Sequence, residues 1–130
     1  MRYLIKETIE VAHHLPWHRD GKKSGKCSRP HGHSYHIEIH INLSVNLRQW
    51  ASKGVPVDFG EVKKLVRKFD HQNLNDFLPN PTAENFALLL KDGVEELVSR
   101  SMSRSLFTGA FVEEWVKVRV WETEGCMVEV

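Results

Sequence analysis

Hydrophobic and polar residues alternate most cleanly between residues 31 and 43. Tyr35, Ile37, Ile39 and Ile41 share one parity, and His36, Glu38, His40 and Asn42 share the other. That is the pattern of a strand with one buried face. Residues 2–13 alternate more weakly around Ile5, Ile9 and Val11 and predict a first strand. Residues 16–30, rich in Lys, Gly, Ser and Pro, read as the loop between them. Asp58 opens a helix: its carboxylate suits the N-cap, and Glu61 stands three residues on as in a capping box. Val62, Leu65, Val66 and Phe69 follow at helical spacing. Residues 70–81 read as a loop ending in Asn80-Pro81, after which Thr82 caps a second helix. The stripe of that helix is Phe86, Leu89, Leu90, Leu97 and Val98. Gly93 interrupts it at a cost of about 1 kcal/mol relative to Ala. Residues 101–111 are polar and irregular, and residues 112–124 predict a strand in which Val116, Val118 and Val120 alternate with Lys117 and Arg119.

The order is strand, strand, helix, helix, strand, with room for a further strand near 43–57 or 106–114. This predicts an α+β fold, an antiparallel sheet with both helices on one face. The other face would carry Glu38, His40, Lys117 and Arg119, turned to water or to a polar lumen closed by several copies. The chain, 130 residues long, reads as a single domain over 1–130, without repeats or linkers. Composition works mainly by exclusion. Eighteen basic against 17 acidic residues leave a net charge of +1, which gives no basis for nucleic acid as a partner. No apolar run approaches the roughly 20 residues of a membrane helix. The first residues, Met1 to Glu7, place charges where a signal peptide is apolar, so the cytoplasm is the expected compartment. There Cys27 and Cys126 are expected as free thiols, with Cys126 a small buried residue.

Eight histidines are the compositional oddity. The sharpest cluster is Cys27-Ser28-Arg29-Pro30-His31-Gly32-His33. Histidines at i and i+2 on a strand point to one face, about 6.6 Å apart, and can converge on one ion. Gly32 between them lets the backbone approach another segment closely. A third histidine is available at His13 or His14. Three neutral nitrogens with an open fourth position is the pattern of catalytic zinc. A closed structural site with Cys27 as fourth ligand is the competing arrangement. His36 and His40 have the opposite parity and read as surface or lumen residues, and His18 as solvated.

Six segments in order carry a resemblance to a known family. They are Glu10-Val11-Ala12-His13-His14-Leu15-Pro16, then Cys27 to Tyr35, Val57-Asp58-Phe59, Asp70-His71-Gln72-Asn73-Leu74-Asn75, Asn80-Pro81-Thr82-Ala83-Glu84-Asn85 and Val120-Trp121-Glu122-Thr123. Together they span nearly the whole chain, which resembles the 6-pyruvoyltetrahydropterin synthase superfamily. The short spacing from Cys27 to His31 looks like its bacterial branch, which makes 6-carboxytetrahydropterin for queuosine biosynthesis. Ile9 departs from the aromatic common in the family. The resemblance implies the tunnelling fold, with a four-stranded antiparallel sheet and two helices on one face. It implies trimers that close into a barrel or stack as hexamers, and an active site between subunits. It implies zinc on His13, His31 and His33, with His13 preferred to His14. Cys27, Asp70 and His71 would be catalytic. Glu122 would grip the pterin's amino-pyrimidine edge, with Thr82 as a further contact. The implied substrate is 7,8-dihydroneopterin triphosphate, whose phosphates Lys22, Lys23, Lys26 and Arg29 are candidates to meet. Alternatives are the pyruvoyl product, a non-enzymatic zinc module, or a cyclohydrolase or aldolase of the same fold, the three-histidine site speaking against the aldolase.

Overall fold

A computed structural model describes residues 1–17, 25–43, 55, 57–104 and 116–130. Strands β1 (Arg2–His13) and β2 (His31–Asn42) pair antiparallel along their full length, from Arg2 opposite Asn42 to His13 opposite His31. Helix α1 (Phe59–Arg67) follows, then a two-residue strand β3 (Gln72–Asn73) and the long helix α2 (Ala83–Arg104). Strands β4 (Val116–Thr123) and β5 (Cys126–Glu129) complete the sheet. The spatial order is β3-β1-β2-β4-β5, antiparallel except for β3, which runs parallel to β1.

The expected four-stranded antiparallel sheet is therefore present, as β1, β2, β4 and β5, with β3 added at one edge. The tract 43–57 is described only at residues 43, 55 and 57, and 106–114 lies outside the described residues. The described fourth strand is β5, reached by a two-residue turn at Glu124-Gly125. Cys126, expected to be buried, is exposed on it. Helix α2 also runs on through residues 101–104, where irregular chain was expected.

One face of the sheet is apolar. Ile5, Ile9 and Val11 of β1, Tyr35, Ile37, Ile39 and Ile41 of β2, and Val116, Val118 and Val120 of β4 are all buried. Both helices cover this face, α1 with Val62 and Val66, α2 with Phe86, Ala87, Leu90, Val94 and Val98. Asp58 caps α1 by accepting from the amides of Gly60 and Glu61 at 2.7 and 3.3 Å. Glu7 ties α1 to β1 through a forked pair with Arg67 at 3.0 and 3.2 Å. Gly93 earns its place in α2: a Cβ there would lie 2.7 Å from Cδ1 of Leu65 in α1, so the glycine lets the helices close on each other. No described helix is long and apolar enough to cross a membrane.

Candidate metal centre

The metal cluster is a continuation of the core ladder. His13 extends the row Ile5-Ile9-Val11, His31 and His33 extend the row of Tyr35 and Ile37, and Glu122 extends Val116-Val118-Val120. At this end of three adjacent strands the inward positions change from apolar side chains to donors. One donor atom from each of His13, His31, His33 and Glu122 lies within 4.8 Å of the others. His13 is only 1% exposed. Close approach of the strands here needs Gly32, where a Cβ would stand 3.3 Å from the Val11 carbonyl oxygen.

Hydrogen bonding sets which ring nitrogens face inward. His13 Nδ1 donates to the Pro81 carbonyl at 2.8 Å, and His31 Nδ1 donates to the Arg29 carbonyl at 2.8 Å. A carbonyl can only accept, so in both neutral rings the proton is on Nδ1 and Nε2 carries a bare lone pair. Those two Nε2 atoms face each other at 3.1 Å. His33 Nε2 is buried and makes no hydrogen bond among the described residues. One carboxylate oxygen of Glu122 stands 3.0 Å from it and 3.3 Å from His13 Nε2. Lone pairs so disposed repel unless a cation lies among them. A tetrahedral ion with donors at about 2.0–2.1 Å spaces those donors about 3.3 Å apart, close to the separations found. The donor set thus fits a divalent metal ion. Burial holds the His33 imidazole below its ordinary pKa, with His13 and His31 reinforcing and Glu122 opposing. Glu122 is held below the usual carboxylate range, first by the hydrogen bond that the His13 ring offers when both its nitrogens carry protons, against burial.

The other expected residues lie around this cluster. His14 turns away, its backbone held by Asn75, so His13 is the histidine that converges. Cys27 sits half-buried in a single 3-10 turn, Gly25–Ser28, and its carbonyl accepts from the Leu15 amide at 2.8 Å, beside the end of β1. Its thiol is free and outside the donor set, whose fourth member is Glu122. The closed site with Cys27 as ligand is therefore not the arrangement found. Glu122, expected only at the substrate, stands among the histidines; the sequence signal for that place is its shared parity with Val116, Val118 and Val120. Thr82 caps α2, its hydroxyl accepting from the Asn85 amide at 3.3 Å.

Asp70 and His71 are held at the opposite edge of β1. The Glu10 amide donates to Asp70 Oδ1 at 2.9 Å, and the His71 amide donates to the Glu10 carbonyl at 2.7 Å. His71 adopts φ 58°, a left-handed conformation uncommon outside glycine. Its Nδ1 lies 3.0 Å from Asp70 Oδ2. The Glu10 amide and then His71 hold the Asp70 carboxyl below its usual range. An open cleft of about 510 Å³ is bordered by His33, Ser34 and Glu10 on one side and by His71, Gln72 and Asn73 on the other. Of the basic candidates, Lys22 and Lys23 lie outside the described residues, as does His18, while Lys26 and Arg29 are exposed beside Cys27.

The model of one protein family, 6-pyruvoyl tetrahydropterin synthase, matches residues 3–130. The chain belongs to the 6-pyruvoyl tetrahydropterin synthase family. A 6-carboxy-5,6,7,8-tetrahydropterin synthase of Bacillus subtilis is 30% identical over 115 residues, covering 82% of this chain and 73% of its own. A dihydroneopterin monophosphate aldolase of Pyrococcus furiosus is 33% identical over 99 residues, covering 73% of this chain and 75% of its own. The fold matches that of 6-pyruvoyl tetrahydropterin synthase from Caenorhabditis elegans with a TM-score of 0.67 at 20% identity, over 100% of this chain and 94% of the other.

Proposed function

We propose that this chain is a zinc-dependent lyase. It would convert 7,8-dihydroneopterin triphosphate, with one water, to 6-carboxy-5,6,7,8-tetrahydropterin, acetaldehyde and triphosphate. The observation that carries the reading is the pair of bare imidazole nitrogens facing each other at 3.1 Å, with His33 Nε2 and a Glu122 oxygen completing the cluster. The similarity to the Bacillus subtilis enzyme supports the product. His13, His31 and His33 hold the metal. When bound, it supplies a positive charge that polarises a ligand's hydroxyl or carbonyl oxygen.

The remaining work falls to the chain's own groups. Cys27, free and half-buried beside the end of β1, takes and returns a proton at a side-chain carbon of the substrate. Ionised Asp70, 3.0 Å from His71 Nδ1, orients that ring as the complementary acid and base. In this reading Glu122, whose oxygen stands beside the histidines, serves the substrate and not the metal: it receives the paired N–H groups of the pterin edge, fixing its register, and Thr82 contacts the same ring. Lys26 and Arg29 meet the phosphates. Asp70 and His71 stand at a different edge of β1 from Cys27, so we place the complete site between copies in a cytoplasmic trimer or hexamer.

The test is product analysis with zinc-loaded protein. Acetaldehyde together with 6-carboxytetrahydropterin is expected, and Cys27→Ala should keep its zinc while losing about 10²–10⁴-fold in turnover. A pyruvoyl product would overturn the branch, and loss of zinc in Cys27→Ala would make the thiol a ligand. The Pyrococcus furiosus relative favours one second reading, an aldolase acting on dihydroneopterin monophosphate. Turnover of the monophosphate but not the triphosphate would establish that instead.

A further inference from the structure

Two polar motifs of the sequence, Asp70 to Asn75 and Asn80 to Asn85, each end in an asparagine to which no role has yet been given. Both act on His13. Asn75 grips the residue next to it: its Oδ1 accepts from the His14 amide and its Nδ2 donates to the His14 carbonyl, both at 2.9 Å. One side chain thereby stands in for a neighbouring strand where β1 ends, and Asn73 in turn braces the Asn75 amide at 3.0 Å. Asn85 grips the turn that faces the His13 ring. Its Nδ2 donates to the Asn80 carbonyl at 2.8 Å, and the Thr82 amide donates to the same oxygen at 2.9 Å. These two bonds fix the Asn80-Pro81-Thr82 turn, whose middle carbonyl accepts from His13 Nδ1.

We propose that Asn75 and Asn85 are positioning residues for the metal, acting through His13: Asn75 holds its backbone, and Asn85 holds the carbonyl that fixes its tautomer and ring orientation. The inference rests on the metal reading above. Partners that orient a ligand's second nitrogen govern how well the first is presented, and their loss typically lowers metal affinity about 10–100-fold. His31 needs no such device, because its carbonyl partner, Arg29, is two residues away in the chain.

The test compares zinc affinity, by competition with a chromogenic chelator, in wild type, Asn75→Asp and Asn85→Asp. Each change keeps size and removes the donor. Asn75→Asp still accepts from the His14 amide, and an acid at position 85 suits the positive N-terminal end of α2. Both metal-free variants should therefore unfold within a few degrees of wild type while losing roughly 10–100-fold in zinc affinity. Long-range nitrogen–proton NMR should show His13 protonated on Nδ1 in wild type and mixed tautomers in Asn85→Asp. Wild-type binding with unchanged variants overturns the inference alone, as does a loss of affinity matched by an equal loss of metal-free stability. A wild-type protein that takes no zinc overturns the metal reading and this inference with it.

Discussion

His31 and His33 leave β2 on the helix-covered side of the sheet, and His36 and His40 leave the same strand on the open side. The first two converge with His13 and Glu122, their inward nitrogens within reach of one ion. The second two find ordinary partners: His36 Nδ1 lies 2.9 Å from the Thr8 hydroxyl, and His40 Nε2 lies 3.1 Å from Glu38. Residue type and strand are the same, and only parity differs. On the covered side the inward nitrogens meet one another and a Glu122 oxygen, whereas the open side supplies ordinary partners and solvent. A cluster that could hold a metal ion arises where donors occupy the last inward positions of three strands whose earlier inward positions are apolar.

The comparison breaks most sharply under alanine substitution. His31→Ala and His33→Ala are each expected to weaken zinc binding by more than the roughly 10–100-fold that loss of a mere orienting partner costs. His36→Ala and His40→Ala should bind zinc as wild type does. Chelator competition on the four variants checks this, and an equal effect from either outward histidine would sink the parity argument.

Parity was legible in the sequence because β2 alternates over twelve residues, long enough for period two to stand out. The His-x-His pair and its facing strand followed from the same pattern. The strand β5 was not legible, since four residues give alternation little room. The clamps of Asn75 and Asn85 were invisible for another reason. They join segments 61 and five residues apart through backbone atoms, and a backbone acceptor leaves no trace in residue identity. Gly93 was read as a helix cost, because nothing local announces that Leu65 packs against it.

On the covered side, Tyr35 sharpens the picture further. It follows His33 by two residues, its ring packs edge-on against His13, His33 and Phe86, and its hydroxyl is buried without a hydrogen-bond partner among the described residues. Burial drives its pKa far upward, so it stays a neutral phenol. An unpartnered buried hydroxyl costs about 1–3 kcal/mol. Tyr35→Phe should therefore leave stability unchanged or raise it by up to about that much, with zinc affinity preserved, as read by denaturant unfolding of the metal-free protein. A clear loss of stability would mean that the hydroxyl has a partner in solution.

The smallest effect belongs to the open side. Glu38 gathers Lys6 at 2.7 Å, His40 at 3.1 Å and Arg119 at 3.6 Å. The hydrogen bond from Lys6, ahead of that from His40, holds its carboxyl below the ordinary value of 4.5 against some burial. A depressed folded pKa contributes stability that is present above the unfolded value and is lost as pH falls through the folded one. Because Lys6 is 65% exposed, the whole contribution should be under about 1 kcal/mol. Glu38→Gln should accordingly lose less than that at pH 7, and the gap between variant and wild type should close as the pH falls below about 4.5. Unfolding free energies measured from pH 7 down to pH 3 would show the two curves meeting. A gap that persisted at pH 3 would mean that Glu38 acts by packing, and that the open face is held by more than solvated ion pairs.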